Sequence, residues 1–290
     1  MPELPEVETI RRYLNASLPH WQVQAVVHLD ERMVKHSPVG PEEIRDRLTG
    51  ATFTRVERMG KFLLLSMSTN GALLLHLGMS GRLVLEDSVV PRQRHTHLVL
   101  DLGSRELRLV DPRRFGRIAW ATRPYSQSLH LGVDPLSRRF SGQVLYQLLA
   151  GRTTAIKTAL LNQQLVAGIG NIYADEALYA ARIHPARVAG HLTREEVDRL
   201  ARAIRKVLRV SLAHRGTSFS DYVDALGHPG ANQYYLNVYG REQLACRRCK
   251  NLIQREVLGG RSSHFCPRCQ PQLPPAVTTM VEQGARHAEI

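Results

Sequence analysis

Four cysteines set the strongest limit on what this chain can fold into. They form two knuckles, Cys246-x2-Cys249 and Cys266-x2-Cys269. Two such knuckles close a tetrahedral site of four thiolates, and four protein ligands leave no open position, so the expected group is one structural Zn2+. Disulfides or free thiols are the competing reading. A reducing compartment disfavours the bridges, and two cysteines of one knuckle are poorly placed to reach each other. Between the pairs, residues 252–257, Gly259-Gly260 and residues 261–265 read as a β-hairpin. A metal-pinned hairpin is a rigid way to present Arg261.

The rest of the chain is long enough for two cores. Its 290 residues are 43% hydrophobic and 22% charged, which excludes disordered and collagen-like chains. No apolar run approaches the ~18 residues of a membrane span. Lys and Arg number 39 against 26 Asp and Glu, a net charge of +13 without one long basic run. Such a charge, spread over folded surface, favours a polyanionic partner: nucleic acid first, an anionic membrane second. A basic protein with no such partner is the plain alternative. The opening Met1-Pro2-Glu3-Leu4-Pro5-Glu6 has neither the basic nor the apolar region of a signal peptide, so cytoplasmic residence is expected.

Residues 23–29, 52–58, 62–67, 72–77, 83–85, 97–102, 107–110 and 116–120 are short apolar segments punctuated by turns, at the spacing of a β-sandwich or barrel. Asn70-Gly71, between two leucine-rich runs, predicts a type I′ hairpin turn with positive φ at both residues. One amphipathic helix precedes the sheet. Pro5 stands where a helix begins, Glu6 and Glu8 suit its first turn, and Val7, Ile10 and Leu14 recur at helical spacing. From Ser141 the period changes. Val144, Leu145, Leu148 and Leu149 mark one helix, Ile156, Leu160 and Leu161 a second, and Ile172, Ala177, Leu178 and Ala181 a third opened by Asn171 as N-cap. Thr193-x-x-Glu196 is a capping box ahead of a long helix bearing Val197, Leu200, Ile204, Val207 and Leu208. The expected class is α+β: an N-terminal helix and β-sandwich domain over 1–122, a linker over 123–140, a helical domain over 141–236, a zinc finger over 237–271 and a flexible, proline-containing tail over 272–290.

Proline at position 2 is the first residue to narrow the chemistry. Methionine aminopeptidase removes Met1 when the next residue is small, which leaves Pro2 with a free secondary amine. Attack of such an amine on an aldehyde-level carbon gives an iminium that stays cationic, an electron sink for elimination. An α-amino group titrates near pH ~8, so part of it is free base at neutrality. An inert terminus is the plain alternative. Glu3 could carry protons beside it, although acids ahead of a helix also serve as dipole partners.

The run Met1-Pro2-Glu3-Leu4-Pro5-Glu6-Val7-Glu8-Thr9 resembles the amino terminus of the bacterial formamidopyrimidine-DNA glycosylases, bifunctional enzymes that excise 8-oxoguanine and ring-opened purines. Further blocks resemble that family in order: Gly60-Lys61-Phe62-Leu63-Leu64-Leu65, His76-Leu77-Gly78-Met79-Ser80-Gly81, Asp111-Pro112-Arg113-Arg114-Phe115-Gly116, Ala155-Ile156-Lys157, the stretch from Val166 to Glu176 containing Gly170-Asn171, and the four-cysteine hairpin with Arg261. The resemblance implies a β-sandwich domain behind an N-terminal helix, then a helix-two-turns-helix domain with a C-terminal zinc finger. It implies double-stranded DNA containing oxidised purines or abasic sites as partner, no membrane, monomeric action, and a place beside the nucleoid.

The same resemblance implies residue roles. Pro2 is the nucleophile, Glu3 shuttles protons, and Lys61 and Arg261 act at the first and second strand cleavages. Met79 fills the void left by the expelled base, Phe115 wedges a base step and Arg113 bonds the orphaned partner base, a set that suits unstacking. Lys61, His76, Asn171 and Arg261 pin phosphates, His95 and Arg152 make further DNA contacts, and Lys157 lies near the damaged base. Without the resemblance, Met79 and Phe115 read as loop or core residues, Arg113 and Arg114 as a solvated basic turn, His76 and His95 as structural histidines, and Lys157 as a solvated lysine. Asn171 begins a helix, where amides and dipole favour a phosphate, so its cap and phosphate readings are compatible. Glu6 is expected to orient the N-terminal turn rather than to transfer protons.

Residues 216–230 match the family's lesion-capping loop only in part, and Ala231-Asn232 replaces the aromatics usual after its Pro-Gly. Two rival readings remain. Endonuclease VIII, the sister glycosylase for oxidised pyrimidines, shares Pro2 and Glu3 but differs at Leu4 and lacks the turn that carries Met79. A non-catalytic zinc-finger DNA-binding protein is the rival of a different class, and an unprocessed Met1 would favour it.

Overall fold

The computed structural model describes residues 1–125, 129–219 and 221–272. The expected tail over 272–290 lies, apart from Gln272, outside the described residues. Helix α1 (Leu4–Ser17) turns Val7, Ile10 and Leu14 inward, one helical face. Behind it stand β1 (Ala25–Leu29), β2 (Phe53–Met59), β3 (Phe62–Met67), β4 (Gly71–His76), β5 (Arg82–Asp87), β6 (Thr96–Asp101), β7 (Arg105–Val110) and β8 (Arg117–Ala121). They form two antiparallel four-stranded sheets, ordered β1-β6-β7-β5 and β2-β3-β4-β8. Period-two alternation decides which leucines meet where. Leu63, Leu65, Leu73 and Leu75 face the core between the sheets, with Val7, Ile10 and Leu14 of α1. Leu64, Ala72 and Leu74 face the opposite side, where Tyr125 and Leu129 cover them.

Two local expectations are corrected. Asn70-Gly71 does not form a type I′ turn: Met67 pairs with Gly71, so the loop is Ser68-Thr69-Asn70 and the glycine is the first strand residue. Its lack of a side chain serves packing, because a Cβ there would lie 2.5 Å from the Trp120 ring. A second helix, α2 (Pro41–Leu48), falls where only strands were expected. Its signals are a proline in the first turn, acids Glu42 and Glu43, and just two buried apolar residues, Ile44 and Leu48. That is too short a pattern for a period to emerge.

The helical domain contains α3 (Gly142–Leu149), α4 (Ile156–Leu161), α5 (Asn171–Ala181) and α6 (Arg194–Ala213). Ser141 caps α3, and the Thr193–Glu196 capping box opens α6. The hairpin of β9 (Gln254–Leu258) and β10 (Arg261–Phe265) follows, with Gly259 and Gly260 both at positive φ in its turn. The architecture is α+β, a helix and β-sandwich followed by helices and a zinc-finger hairpin. The two cores exchange residues: Leu4 belongs to the helical core, whereas Tyr222 and Ala225 belong to the sandwich core. Among the described residues no helix is long and apolar enough to cross a membrane.

Candidate active site and DNA-binding face

The start of the chain is built into the joint between the domains. Pro2 is buried, and the Leu4 amide donates to Gly168 O across 3.0 Å. This delivers Glu3 to the N-terminal end of α5, where Oε2 accepts from Gly170 N at 2.7 Å and Oε1 from Ile172 N at 2.9 Å. The N-cap of α5 is therefore Gly170, not Asn171, and a carboxylate from the far end of the sequence supplies the cap. Gly170 makes this possible, since a Cβ would stand 2.4 Å from Glu3 Cδ. Those amides are thereby taken and cannot also hold a phosphate. Asn171 is first in the helix, and its Oδ1 is buried without a partner among the described residues.

Burial drives the Glu3 carboxyl up to about 7, against the pull of the Lys61 ammonium and the amides of Ile172 and Gly170, with Glu6 adding to the rise. A carboxyl poised there can donate and accept protons near neutral pH. Lys61 occupies the tight turn between β2 and β3 and is 7% exposed. Burial lowers its pKa, Glu3 and Glu6 oppose that, and the Arg261 guanidinium lowers it further. Glu3, Lys61 and Arg261, from three parts of the chain, thus share one electrostatic neighbourhood. Arg58 braces the Lys61 turn by donating to Gly60 O at 3.0 Å and pairing with Glu8 and Asp134.

Glu6 works as scaffold. Its Oε2 accepts the Glu3 amide at 2.8 Å, and its Oε1 accepts the Thr217 amide at 2.7 Å and the Tyr173 hydroxyl. Tyr173 OH also meets Ser211 Oγ at 2.6 Å and Thr217 Oγ1 at 2.9 Å. Asn232, one of the two departures from the family pattern, donates to Thr217 Oγ1 at 2.8 Å. The base of the 216–230 loop is therefore tied to the turn that holds Glu3. Further along that loop, Ala225 O accepts from Leu85 N at 3.1 Å, and Phe219 stays 59% exposed.

Met79 and Phe115 are exposed, at 38% and 50%, on adjacent loops. The Arg113 guanidinium lies over the Phe115 ring, 4.7 Å from its centroid. Asp111, fully buried, holds these loops by accepting from Ser80 Oγ, Gly116 N and Arg113 N. His95 adopts a left-handed backbone and its carbonyl accepts from Asp111 N. His76 accepts the Gly78 amide on Nδ1 at 3.1 Å and packs on Phe62. Burial, with Arg117 and Lys61 nearby, holds its pKa down at about 4. It is neutral at pH 7, and with Nδ1 accepting, Nε2 carries the proton and is the free donor. Arg152 is exposed and uses Nε on Leu148 O, 2.7 Å away.

Lys157 is not the solvated lysine of the plain reading. Its side chain is 0% exposed, 2.6 Å from Asp175 Oδ1, and donates to Ser262 O at 2.5 Å. No surface of it is left for DNA in this arrangement. Asp111, Ser80, Tyr173, Thr217 and Asp175 carry the site's internal bonding and went unrecognised in the sequence. Apart from the Arg113 and Gly116 amides on Asp111, their partners are remote along the chain, so no spacing marks them.

The four cysteine sulfurs lie within 4.8 Å of one another. Cys246–Cys269 are 3.9 Å apart and Cys249–Cys266 3.4 Å. Sulfurs about 2.3 Å from a tetrahedral zinc stand ~3.8 Å apart, whereas a disulfide requires about 2.05 Å. The Arg248 and Cys269 amides donate to Cys246 Sγ and Cys266 Sγ, both at 3.4 Å, as knuckle thiolates require. The donor set fits one zinc ion, held by all four cysteines and structural in role.

Three family models match in sequence: the formamidopyrimidine-DNA glycosylase N-terminal domain over 1–118, the formamidopyrimidine-DNA glycosylase H2TH domain over 131–223, and the zinc finger found in FPG and IleRS over 244–272. Fold and site together define a DNA glycosylase that is also a lyase at abasic sites. Among relatives, the formamidopyrimidine-DNA glycosylase of Syntrophotalea carbinolica is 45% identical over 274 residues, 93% of this chain and 100% of that one. A Lactococcus lactis Fpg structure with abasic-site DNA superposes with TM-score 0.87 at 35% identity, and a mutant of that protein with Fapy-dG DNA with TM-score 0.87 at 34%. Each covers 93% of this chain and all of the other. The chain belongs to the formamidopyrimidine-DNA glycosylase family.

Proposed function

We propose that this chain excises 8-oxoguanine and formamidopyrimidines from duplex DNA and then cuts the strand on both sides of the abasic site, in the bacterial cytoplasm and as a monomer. The observation that carries this reading is the placement of Glu3: a buried carboxyl poised near neutral pH, next to Pro2 and within the field of Lys61. Once Met1 is removed, the Pro2 nitrogen attacks C1′ of the damaged nucleotide and the N-glycosidic bond breaks, the electron pair leaving with the base, which takes up the proton that the new Pro2 ammonium gives up. Glu3 protonates the ring oxygen as the sugar opens to an iminium. Loss of a C2′ proton expels the 3′ phosphate, and loss of the C4′ proton expels the 5′ phosphate. Lys61 serves as proton donor to the first leaving phosphate. Arg261, whose guanidinium hardly deprotonates, stabilises the second by its charge. Hydrolysis of the iminium releases the sugar fragment and leaves a one-nucleotide gap with phosphates at both ends.

Met79, Arg113 and Phe115 enter the duplex, and the neutral His76, together with Lys61, His95, Arg152, Asn171 and Arg261, meets the backbone. Functionally the chain divides at the boundaries read from sequence: catalytic domain 1–122, linker 123–140, helix-two-turns-helix domain 141–236 and zinc finger 237–271. The test is borohydride trapping on duplex DNA with one 8-oxoguanine opposite cytosine, with intact mass and peptide mapping. A covalent adduct on Pro2, absent with undamaged DNA, is the expected result. No adduct from a processed, zinc-loaded protein overturns the purine reading and moves the test to oxidised pyrimidines.

A further inference from the structure

Zinc fixes the root of the β9–β10 hairpin, since Cys266 directly follows β10. It does not fix the tip. Five strand residues at about 3.4 Å each put Arg261 some 17 Å from that root, and a two-stranded ribbon is a weak structure by itself. The tip is held instead by a buried pair from the helical domain. Lys157 of α4 donates from Nζ to Ser262 O at 2.5 Å. Asp175 of α5 pairs with that ammonium through Oδ1 at 2.6 Å, while its Oδ2 accepts from His264 N at 2.9 Å and lies 3.1 Å from His264 Nδ1. The Ser262 carbonyl and the His264 amide belong to the edge of β10 that β9 leaves free, so two side chains take the place of a third strand.

Both side chains of the pair are 0% exposed. A buried ion pair is weak support for stability, because desolvation consumes most of its attraction; its better-attested use is to specify one geometry among several. The geometry specified here has a clear reference. Asp175 stands one helical turn beyond the start of α5, the same start that Glu3 caps. One rigid helix therefore carries Glu3 on its end and, through Asp175, the strand that begins with Arg261.

We infer that Asp175 is a positioning residue for the second strand cleavage: by gripping Ser262 through Lys157, and His264 directly, it sets where Arg261 stands relative to Glu3. This rests on the reading of Arg261 given above. It makes Asp175 selective, because Lys61 is held in place by the β2–β3 turn and feels the hairpin only through the charge of Arg261, the last of the influences on it.

The experiment uses the full-length, zinc-loaded protein on duplex DNA with a single abasic site, following both cleavage products under single-turnover conditions. Asp175→Asn keeps an acceptor for His264 N and removes the charge facing Lys157. The expected result is a δ-elimination rate at least tenfold lower and a β-elimination rate within twofold of wild type. The double variant with Arg261→Gln is expected to be no slower in δ-elimination than Arg261→Gln alone, which simple destabilisation would not produce. If Asp175→Asn fails to fold or to hold zinc, the apolar pair Lys157→Met with Asp175→Leu restores the packing and should show the same selective loss. An unchanged ratio of the two products in a folded variant, or a parallel fall of both steps, overturns the proposal. An Arg261→Gln protein with normal δ-elimination would instead overturn the assignment of Arg261.

Discussion

Ser80 donates its hydroxyl to Asp111 Oδ1 across 2.6 Å, and this bond joins the loop of Met79 to the loop of Arg113 and Phe115. Oδ2 accepts the Gly116 amide at 2.7 Å, and the Asp111 amide reaches His95 O at 3.0 Å. Three loops of the proposed DNA face thus meet at one residue, two through its buried carboxylate and the His95 loop through its backbone amide. Asp111→Ala strands a hydroxyl and two amides and should cost roughly 2–4 kcal/mol, against about 1 kcal/mol for Ser80→Ala. Urea titration measures that cost. Affinity of D111A for a duplex with an abasic analogue should fall at least tenfold where the variant is still folded, and unaltered affinity would show that the loops keep their geometry unaided.

Glu3 makes folding stability depend on pH with a definite sign. Its carboxyl titrates at about 7 in the folded protein against the ordinary 4.5, so between those values the folded state holds more protons than the unfolded one. Its contribution is fully present below pH 4.5 and is lost as pH rises through 7, a loss of up to roughly 3 kcal/mol. Denaturant titrations from pH 4.5 to 8 should show a steeper decline for wild type than for Glu3→Gln. Parallel curves would mean that the carboxyl is already ionised at pH 5.

His76 is held neutral, its pKa at about 4, so the hydrogen bond proposed for it with DNA carries no charge. Replacing it with Gln should weaken binding while leaving the slope of log affinity against log salt unchanged. Arg261→Gln should lower that slope by about 1, the share of one neutralised phosphate. A reduced slope in H76Q would show that the imidazole binds as a cation.

Zinc removal should separate the two parts of the molecule. The metal site closes the hairpin and touches none of the sandwich strands, whose core is the Leu63, Leu65, Leu73 and Leu75 cluster. Chelation under denaturing conditions followed by refolding should therefore abolish DNA binding while the β signal in circular dichroism persists. Full binding by a verified zinc-free protein would refute this.

What the sequence revealed and what it hid divide along the range of the interactions concerned. The Thr193–Glu196 capping box, the leucine alternation of β3 and β4 and the cysteine knuckles are local patterns, and each strand of the sandwich lies within two residues of its predicted range. Asn70-Gly71 misled because the same dipeptide satisfies a turn and a close approach by Trp120 equally well. Asn171 was placed one position too far out because nothing near it shows that Glu3 performs the capping. Lys157 looks like any helical lysine until Asp175 and Ser262 are brought to it. The proposed roles of Pro2 and Glu3 stand open in the residues alone beside plainer readings, and that of Lys61 comes only through resemblance, since its approach to Glu3 depends on the whole fold.

Glu3 completes its bonds only with Gly170 and Ile172, and Glu6 only with Thr217. During synthesis the start of the chain must therefore wait for residues made much later, roughly 10 to 40 s at ordinary ribosomal speed. In that interval Pro2, buried once the domains have docked, is still open to the aminopeptidase whose action the proposed mechanism requires. The end that emerges first from the ribosome is thus the last to complete its bonds.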